Sequence, residues 1–234
     1  ATFRHVTLTK AVSGAWPTVE LGDIVRTLRN GAFLSRPAPK GPGVRIFRIS
    51  AVRPLRLDLD DVRFAQKERS EVESYFVEAG DLLFTRYNGN PNLVGACAVV
   101  PAGCPPTIHP DKLIRVVIDD TRAYPPFIAL AVSVGEGRAA IAKRLKTTAG
   151  QVGISGGQLR TVHVPLPPLD VQRSIVDKVG TDLAAVDRLQ AALVRAEQQA
   201  ARLRHSVLEQ AFAGKLAEHD PFDKPASTSE DRLA

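Results

Sequence analysis

The sequence predicts an α+β protein, a mixed α/β domain followed by one long α-helix. Three observations carry this. Short apolar runs rich in β-formers, broken by Gly, Pro and Asn, fill the chain from Trp16 to His163. A stretch from Asp170 to Phe212 contains no proline and is dominated by Ala, Leu, Gln, Glu and Arg. Between them, Pro165, Pro167 and Pro168 of "VPLPPLD" stiffen the passage. The divisions are a domain at 1–168, a helix at 169–216, and a polar, loose tail at 217–234.

In the first block, "VRIFRI" (Val44–Ile49), "GDLLFT" (Gly80–Thr85), "LVGACAVV" (Leu93–Val100) and "KLIRVVI" (Lys112–Ile118) read as strands. The segment after Tyr124 turns helical. Phe127, Leu130, Ala131, Val134, Ile141 and Leu145 follow a 3.6-residue period, interrupted only by Arg138. Pro125 and Pro126 suit a first turn, and Gly135 and Gly137 divide the segment into two helices.

The proline-free stretch is a helix of about 65 Å at 1.5 Å per residue. Asp170 is placed to cap it, Gly180 is its internal weak point, and Gly214 is a natural stop. Val179, Val186, Leu189, Leu193, Ala196, Ala200, Leu203 and Val207 alternate in steps of three and four, with Asp182 at a missing position. That is a heptad seam, and it predicts a coiled coil with another helix. Ala196 and Ala200 allow close approach, while Arg188, Arg195 and Arg202 form a basic row off the seam.

Composition narrows the function. The chain has 234 residues, a net charge of +6 and two cysteines. A basic balance favours a polyanionic partner. Cys97 and Cys104 make no disulfide framework, which points to the reducing cytoplasm. No apolar run of membrane-spanning length is present, and "ATFRHVTLTK" lacks the apolar core of a signal peptide. The absence of Met fits either a processed start or the C-terminal part of a longer protein.

Familiar catalytic signatures fail. "YPPF" (Tyr124–Phe127) has Tyr where an adenine methyltransferase needs a side chain that accepts the target amino group, so helix initiation explains its prolines better. "SVGEG" lacks the third glycine of a nucleotide loop, and no phosphate-cradling G-x-x-x-x-G-K-[ST] loop exists. Cys97, Cys104 and His109 lack a regular spacing and a fourth metal ligand. "HPDKLI" (His109–Ile114) sets an acid beside a lysine, but a nuclease needs a second carboxylate. No catalytic residue, metal site or cofactor is assigned to this chain.

The charge is concentrated. Arg26 to Arg63 holds nine basic residues and three acids, an excess equal to that of the whole chain. Its centre, "RPAPKGPGVR", is a Pro/Gly loop whose Arg36, Lys40 and Arg45 are fit to follow a phosphate backbone. A second cluster, Lys143, Arg144 and Lys146, runs into "TTAGQVGISGGQ", where Gln151 sits among small residues that permit close backbone approach. The segment "GDLLFTRYNGNPNLVG" crowds Arg86, Tyr87, Asn88, Asn90 and Asn92 onto one bend. Arg pairs with guanine and Asn or Gln with adenine, so these are the chemical groups that read base edges.

"GDLLFTRYNGNPNLVG", "VPLPPLDVQRSIVDKV" and "LRHSVLEQAFAGKL" together resemble the specificity subunits of type I restriction-modification systems, and "VELGDIVRTLRNG" (Val19–Gly31) resembles the opening of a target recognition domain. The resemblance implies one DNA target recognition domain and one helix. That helix would form an antiparallel coiled coil with a second copy or repeat, giving a homodimer if this is a half-size subunit. It implies a non-catalytic subunit that binds double-stranded DNA and holds methyltransferase and restriction subunits. S-adenosylmethionine, ATP and Mg would belong to those partners. Two other readings remain open: the recognition portion of a fused methyltransferase-nuclease, and a dimeric DNA-binding regulator without modification partners.

Overall fold

The computed structural model describes residues 2–148 and 151–213. The chain up to Leu183 forms one compact unit, and the chain from Ala184 forms a second. In order, the elements are α1 (Thr2–Val12), β1 (Thr18–Glu20), β2 (Val25–Asn30), β3 (Val44–Phe47), β4 (Val52–Arg53), β5 (Arg56–Leu57), β6 (Val62–Ala65) and α2 (Arg69–Val72). Then come β7 (Leu82–Thr85), β8 (Tyr87–Asn88), β9 (Cys97–Val99), β10 (Thr107–Ile108), β11 (Leu113–Ile118), α3 (Pro125–Ser133) and α4 (Gly135–Lys143). The last are β12 (Lys146–Thr148), β13 (Gln151–Gly153), α5 (Gly156–Arg160), β14 (His163–Pro165) and α6 (Leu169–Phe212).

The centre of the first unit is a four-stranded antiparallel sheet in the order β2-β11-β7-β9. Successive side chains of a strand face opposite ways. Leu82, Phe84, Cys97, Ile114 and Val116 enter a core with Phe127, Ile128 and Ile141 of α3 and α4. Leu83, Ala98 and Leu113, one residue out of step, enter a second core with Phe47 and Val52. Both faces of the inner strands β7 and β11 are covered, which is why they read as near-continuous apolar runs instead of alternating ones. Each fully buried Leu, Ile or Phe contributes about 1.5–3 kcal/mol of transfer free energy. Arg115 of β11 is held in this apolar setting by Asp81, Nε to Oδ2 at 2.5 Å. Burial pushes the Asp81 carboxyl above its ordinary value, against the pull of Arg115.

A three-stranded sheet, β10-β3-β6, packs a third core around Ile46, Ala65, Val72 and Ile108. A second three-stranded sheet, β12-β13-β8, carries the candidate site.

Several boundaries differ from the sequence reading. Leu93–Val100 is not one strand: Pro91–Leu93 is a 3-10 turn and the strand is only Cys97–Val99. Gly95 lies at φ 73, a left-handed conformation suited to glycine, and a Cβ there would overlap Ile141. Val44–Ile49 ends as a strand at Phe47 and runs into a 3-10 turn at Ile49–Ala51. The described residues of "TTAGQVGISGGQ" contribute to β12, β13 and the start of α5, with Ser155 and Gln158 forming a capping box. The division of the post-Tyr124 helix is as expected, with α3 ending at Ser133 and α4 opening at Gly135.

The long helix opens at Leu169, so Asp170 lies inside its first turn, not at the cap. There its charge meets the positive end of the helix dipole. Gln172 is fully buried and anchors this turn. Its Oε1 accepts from the Tyr124 N–H at 2.7 Å, and its Nε2 donates to the carbonyls of Pro167 at 2.8 Å and Arg122 at 3.2 Å. Arg173 stacks over the Tyr124 ring at 4.5 Å. Val179 packs with Leu130 of α3 and with Val134 between α3 and α4, so this first seam position is occupied within the domain's own core. Gly214 and the tail at 217–234 lie outside the described residues.

Candidate nucleic-acid interface

The crowded bend after β7 owes part of its composition to turn chemistry. Asn88 Oδ1 accepts from the Asn90 N–H at 2.9 Å, and Asn90 Oδ1 accepts from the Asn92 N–H at 3.0 Å. These are two successive Asx turns, in which a side-chain carbonyl stands in for a backbone one. Their Nδ2 groups remain as donors. The far end of the bend is pinned from α4. Arg138 donates Nη1 to the Val94 carbonyl at 2.6 Å and Nη2 to the Asn92 carbonyl at 3.0 Å. The charged residue that interrupts the apolar period of α4 is thus a clamp on the bend. Burial lowers its pKa from the usual arginine value.

The near end is fixed by pairing. Tyr87 lies opposite Gly153 and Asn88 opposite Val152. Because β12 pairs with β13, placing Lys146 opposite Gly153, Lys146 and Gln151 join the same sheet as Tyr87 and Asn88. Both Lys146 and Gln151 are exposed. Cross-strand partners share a face of a sheet, and alternate residues along one strand do too. Lys146, Tyr87 and Gln151 therefore lie on one face. The Tyr87 ring rests on Gly153, where a Cβ would overlap its edge. The Arg86 guanidinium stacks over that ring at 4.7 Å.

Arg86 itself is half-buried. Its N–H donates to the Lys112 carbonyl at 2.8 Å, its carbonyl accepts from the Ile154 N–H at 2.9 Å, and its Nη1 reaches the Asp111 carbonyl at 3.4 Å. It ties the bend to the start of β11. A cleft of about 170 Å³ opens beside it, lined by Ile49, Tyr87, Asn88, Gly89, Lys112 and Gln151. The sequence gives Ile49 no site role and offers Lys112 only as the lysine of an incomplete nuclease pattern; both reach the bend through the fold.

The basic stretch from Arg26 to Arg63 is less free than its composition suggests. Arg26 pairs with Asp119 at 2.9 Å and Asp120 at 2.6 Å. Arg29 donates to the Ser74 carbonyl and lies over the Tyr75 ring. Arg45 donates to the Leu59 carbonyl at 2.8 Å, and Arg48 pairs with Asp61 at 2.9 Å. Arg36, at φ 43, and Lys40 are exposed in the Pro/Gly loop. In the second cluster, Lys143 is exposed in the last turn of α4. Arg144 is a structural link, donating Nε to Thr161 Oγ1 at 2.8 Å and Nη2 to the Thr161 carbonyl at 2.6 Å.

Cys97 is buried and its thiol pKa is raised by desolvation. His109 is also buried, with Nδ1 at 2.8 Å from the Tyr75 carbonyl, so Nδ1 carries the hydrogen. Among the described residues, no group of three His, Cys, Asp or Glu is placed to hold a metal.

The described part of the second unit is helical from Ala184 to Phe212. Val186 is half-buried, while Leu189, Leu193, Ala196, Ala200, Leu203 and Val207 are exposed. Leu189 is 71% exposed and Leu203 60%. Val194, Leu208 and Phe212 are exposed as well.

These features define an α+β domain with a polar, cation-bearing sheet edge and a helix with a bare apolar stripe. The chain is 38% identical over 194 residues to the EcoKI type I restriction enzyme specificity subunit of Escherichia coli K12, a match spanning 82% of this chain and 41% of that protein. It is 26% identical over 227 residues to the StySPI specificity subunit of Salmonella potsdam, spanning 92% of this chain and 49% of that protein. The HsdS subunit of Thermoanaerobacter tengcongensis superposes with a TM-score of 0.57 at 20% identity, over 92% of this chain and 51% of that one. A chain from a structure on assembly and conformational transition of the type I R-M system superposes with a TM-score of 0.65 at 19% identity, over 92% of this chain and 52% of that one. No family model matches. The chain is a homologue of type I restriction enzyme specificity subunits, and it spans about half the length of the curated relatives it matches.

Proposed function

We propose that this chain is a sequence-specific DNA-binding module that directs type I adenine methyltransferase and restriction subunits to a bipartite site, and that it performs no chemistry itself. The observation that carries the reading is the β12-β13-β8 sheet, which gathers Tyr87, Asn88, Lys146 and Gln151 from distant parts of the sequence. A two-stranded antiparallel ribbon fits the major groove of B-DNA, where each base pair presents a distinct pattern of donors and acceptors. Arg36, Lys40, Lys143 and Lys146 serve the phosphates, and amides serve base edges. Arg45 and Arg86 act mainly by holding loops in place, through their bonds to the Leu59 and Asp111 carbonyls.

The exposed stripe from Leu189 to Phe212 supports pairing with a like helix, either a second copy or a repeat in a longer chain. Two copies would place two reading edges at a fixed spacing, and two-fold symmetry would then make the target a split palindrome. S-adenosylmethionine, ATP and Mg would be bound by the partner subunits.

The test is to express the chain with a type I methyltransferase subunit and map modified adenines across the host genome. Modification at one split motif that disappears without this chain is the expected result. Methyl transfer by the purified chain alone would replace this reading with a fused enzyme. Failure to co-purify any methyltransferase, with sequence-selective binding intact, would favour a free regulator.

A further inference from the structure

The acid and lysine of "HPDKLI" have no role in the sequence reading, yet the fold brings Lys112 to the reading edge. Lys112 precedes β11 and is exposed. With Ile49 it lines two adjoining clefts, one of about 220 Å³ that also includes Arg48 and Arg63, and the smaller one beside Tyr87 and Gln151. The cations of the larger cleft are engaged, Arg48 by Asp61 at 2.9 Å and Arg63 by the Pro37 carbonyl at 3.2 Å. No hydrogen bond or ion pair engages the Lys112 ammonium among the described residues.

We propose that Lys112 is a specificity-determining residue, donating to the acceptor pair on the major-groove edge of a guanine seated over the smaller cleft. The proposal deepens the DNA-recognition reading and rests on it. Guanine presents O6 and N7 as adjacent acceptors, and an ammonium carries three donors. An isolated surface lysine would serve a phosphate equally well. Two features argue for a base here. Apart from Lys112 the cleft lining is uncharged: the Gln151 amide, the Asn88 Nδ2 donor and the Tyr87 side chain offer groups that match base edges, and Ile49 offers an apolar wall for a base or a thymine methyl. The root of Lys112 is also fixed, its carbonyl held by the Arg86 N–H at 2.8 Å, so the side chain works from a set anchor.

The test is selection of bound duplexes from a random pool, using the full chain alone and with any co-purifying methyltransferase. Lys112→Ala is compared with wild type and with Lys40→Ala, and thermal melts confirm that each variant is folded. Lys112→Ala is expected to lose discrimination about tenfold at one guanine of the motif and to keep the remaining positions. Lys40→Ala is expected to weaken all duplexes alike and keep the motif. The proposal is overturned if Lys112→Ala leaves the motif unchanged, alters only positions without guanine, or weakens matched and scrambled duplexes equally. A wild-type chain that selects no sequence in either setting overturns the DNA-recognition reading, and this proposal with it.

Discussion

The Tyr87 ring rests on the bare backbone of Gly153, across the pairing of β8 with β13. This contact joins the Asn-rich bend to the ribbon that carries Lys146 and Gln151. A methyl group at position 153 would overlap the ring and push it off the sheet. Gly153→Ala is therefore expected to reduce sequence-selective DNA binding at least tenfold, about 1.4 kcal/mol, while the central sheet stays folded. Fluorescence anisotropy on matched and scrambled duplexes, beside a circular dichroism melt, checks it. Unchanged selectivity would mean that the ring's position does not matter for reading.

Gln172 satisfies a buried carbonyl at Pro167 and a part-buried N–H and carbonyl at Tyr124 and Arg122, where the long helix meets the domain. Leucine has similar bulk but no polar atoms, so Gln172→Leu strands all three groups. A loss of about 2–4 kcal/mol follows, since each orphaned group costs about 1–3 kcal/mol less whatever water recovers. Denaturant unfolding reads this directly, and a loss below 0.5 kcal/mol (about the scatter of surface substitutions) would contradict it.

The stripe on the second unit predicts an interface. Leu193→Glu combined with Leu203→Glu sets charges on two exposed seam positions. Self-association measured by sedimentation or light scattering is expected to disappear. A dimer unchanged by both substitutions would place its interface elsewhere.

Stability should depend on pH through His109. Burial lowers its folded pKa to about 4 from an ordinary 6.5. Between these values the unfolded chain binds more protons, so stability is complete above about pH 6.5 and falls as the pH drops toward 4, by about 3 kcal/mol in all. Asp81, whose carboxyl is raised by burial, acts in the opposite sense over its own titration range. Comparing wild type with His109→Asn isolates the histidine. The expected result is a flatter dependence between pH 7 and pH 5 in the variant, and identical slopes would sink the assignment.

The central strands were legible in the sequence because burial on both faces leaves near-continuous apolar runs, as in Leu82–Phe84 and in Leu113–Ile118, which only Arg115 interrupts. The two helices after Tyr124 were legible from their prolines and glycines. Strand β2 was not, because half-exposed "VRTLRN" carries charges where a buried strand would not. At the site, Asn88 and Asn90 stand out in the sequence for their amides, but their side-chain carbonyls build the turn, a use that composition cannot separate from recognition. Arg45 and Arg144 looked like surface cations because a sequence cannot show the Leu59 and Thr161 carbonyls that engage them. Lys112 was passed over for a related reason: its relation to Tyr87 and Gln151 exists only through sheet pairing.

The candidate ribbon is joined to the bend through main-chain hydrogen bonds, and Lys146 and Gln151 point no weight-bearing atoms into the core. Exchange of these outward groups would leave the folding energetics almost untouched. Under the proposed DNA-reading role, such a scaffold can drift from one preferred motif to another through single substitutions, each intermediate remaining a stable protein.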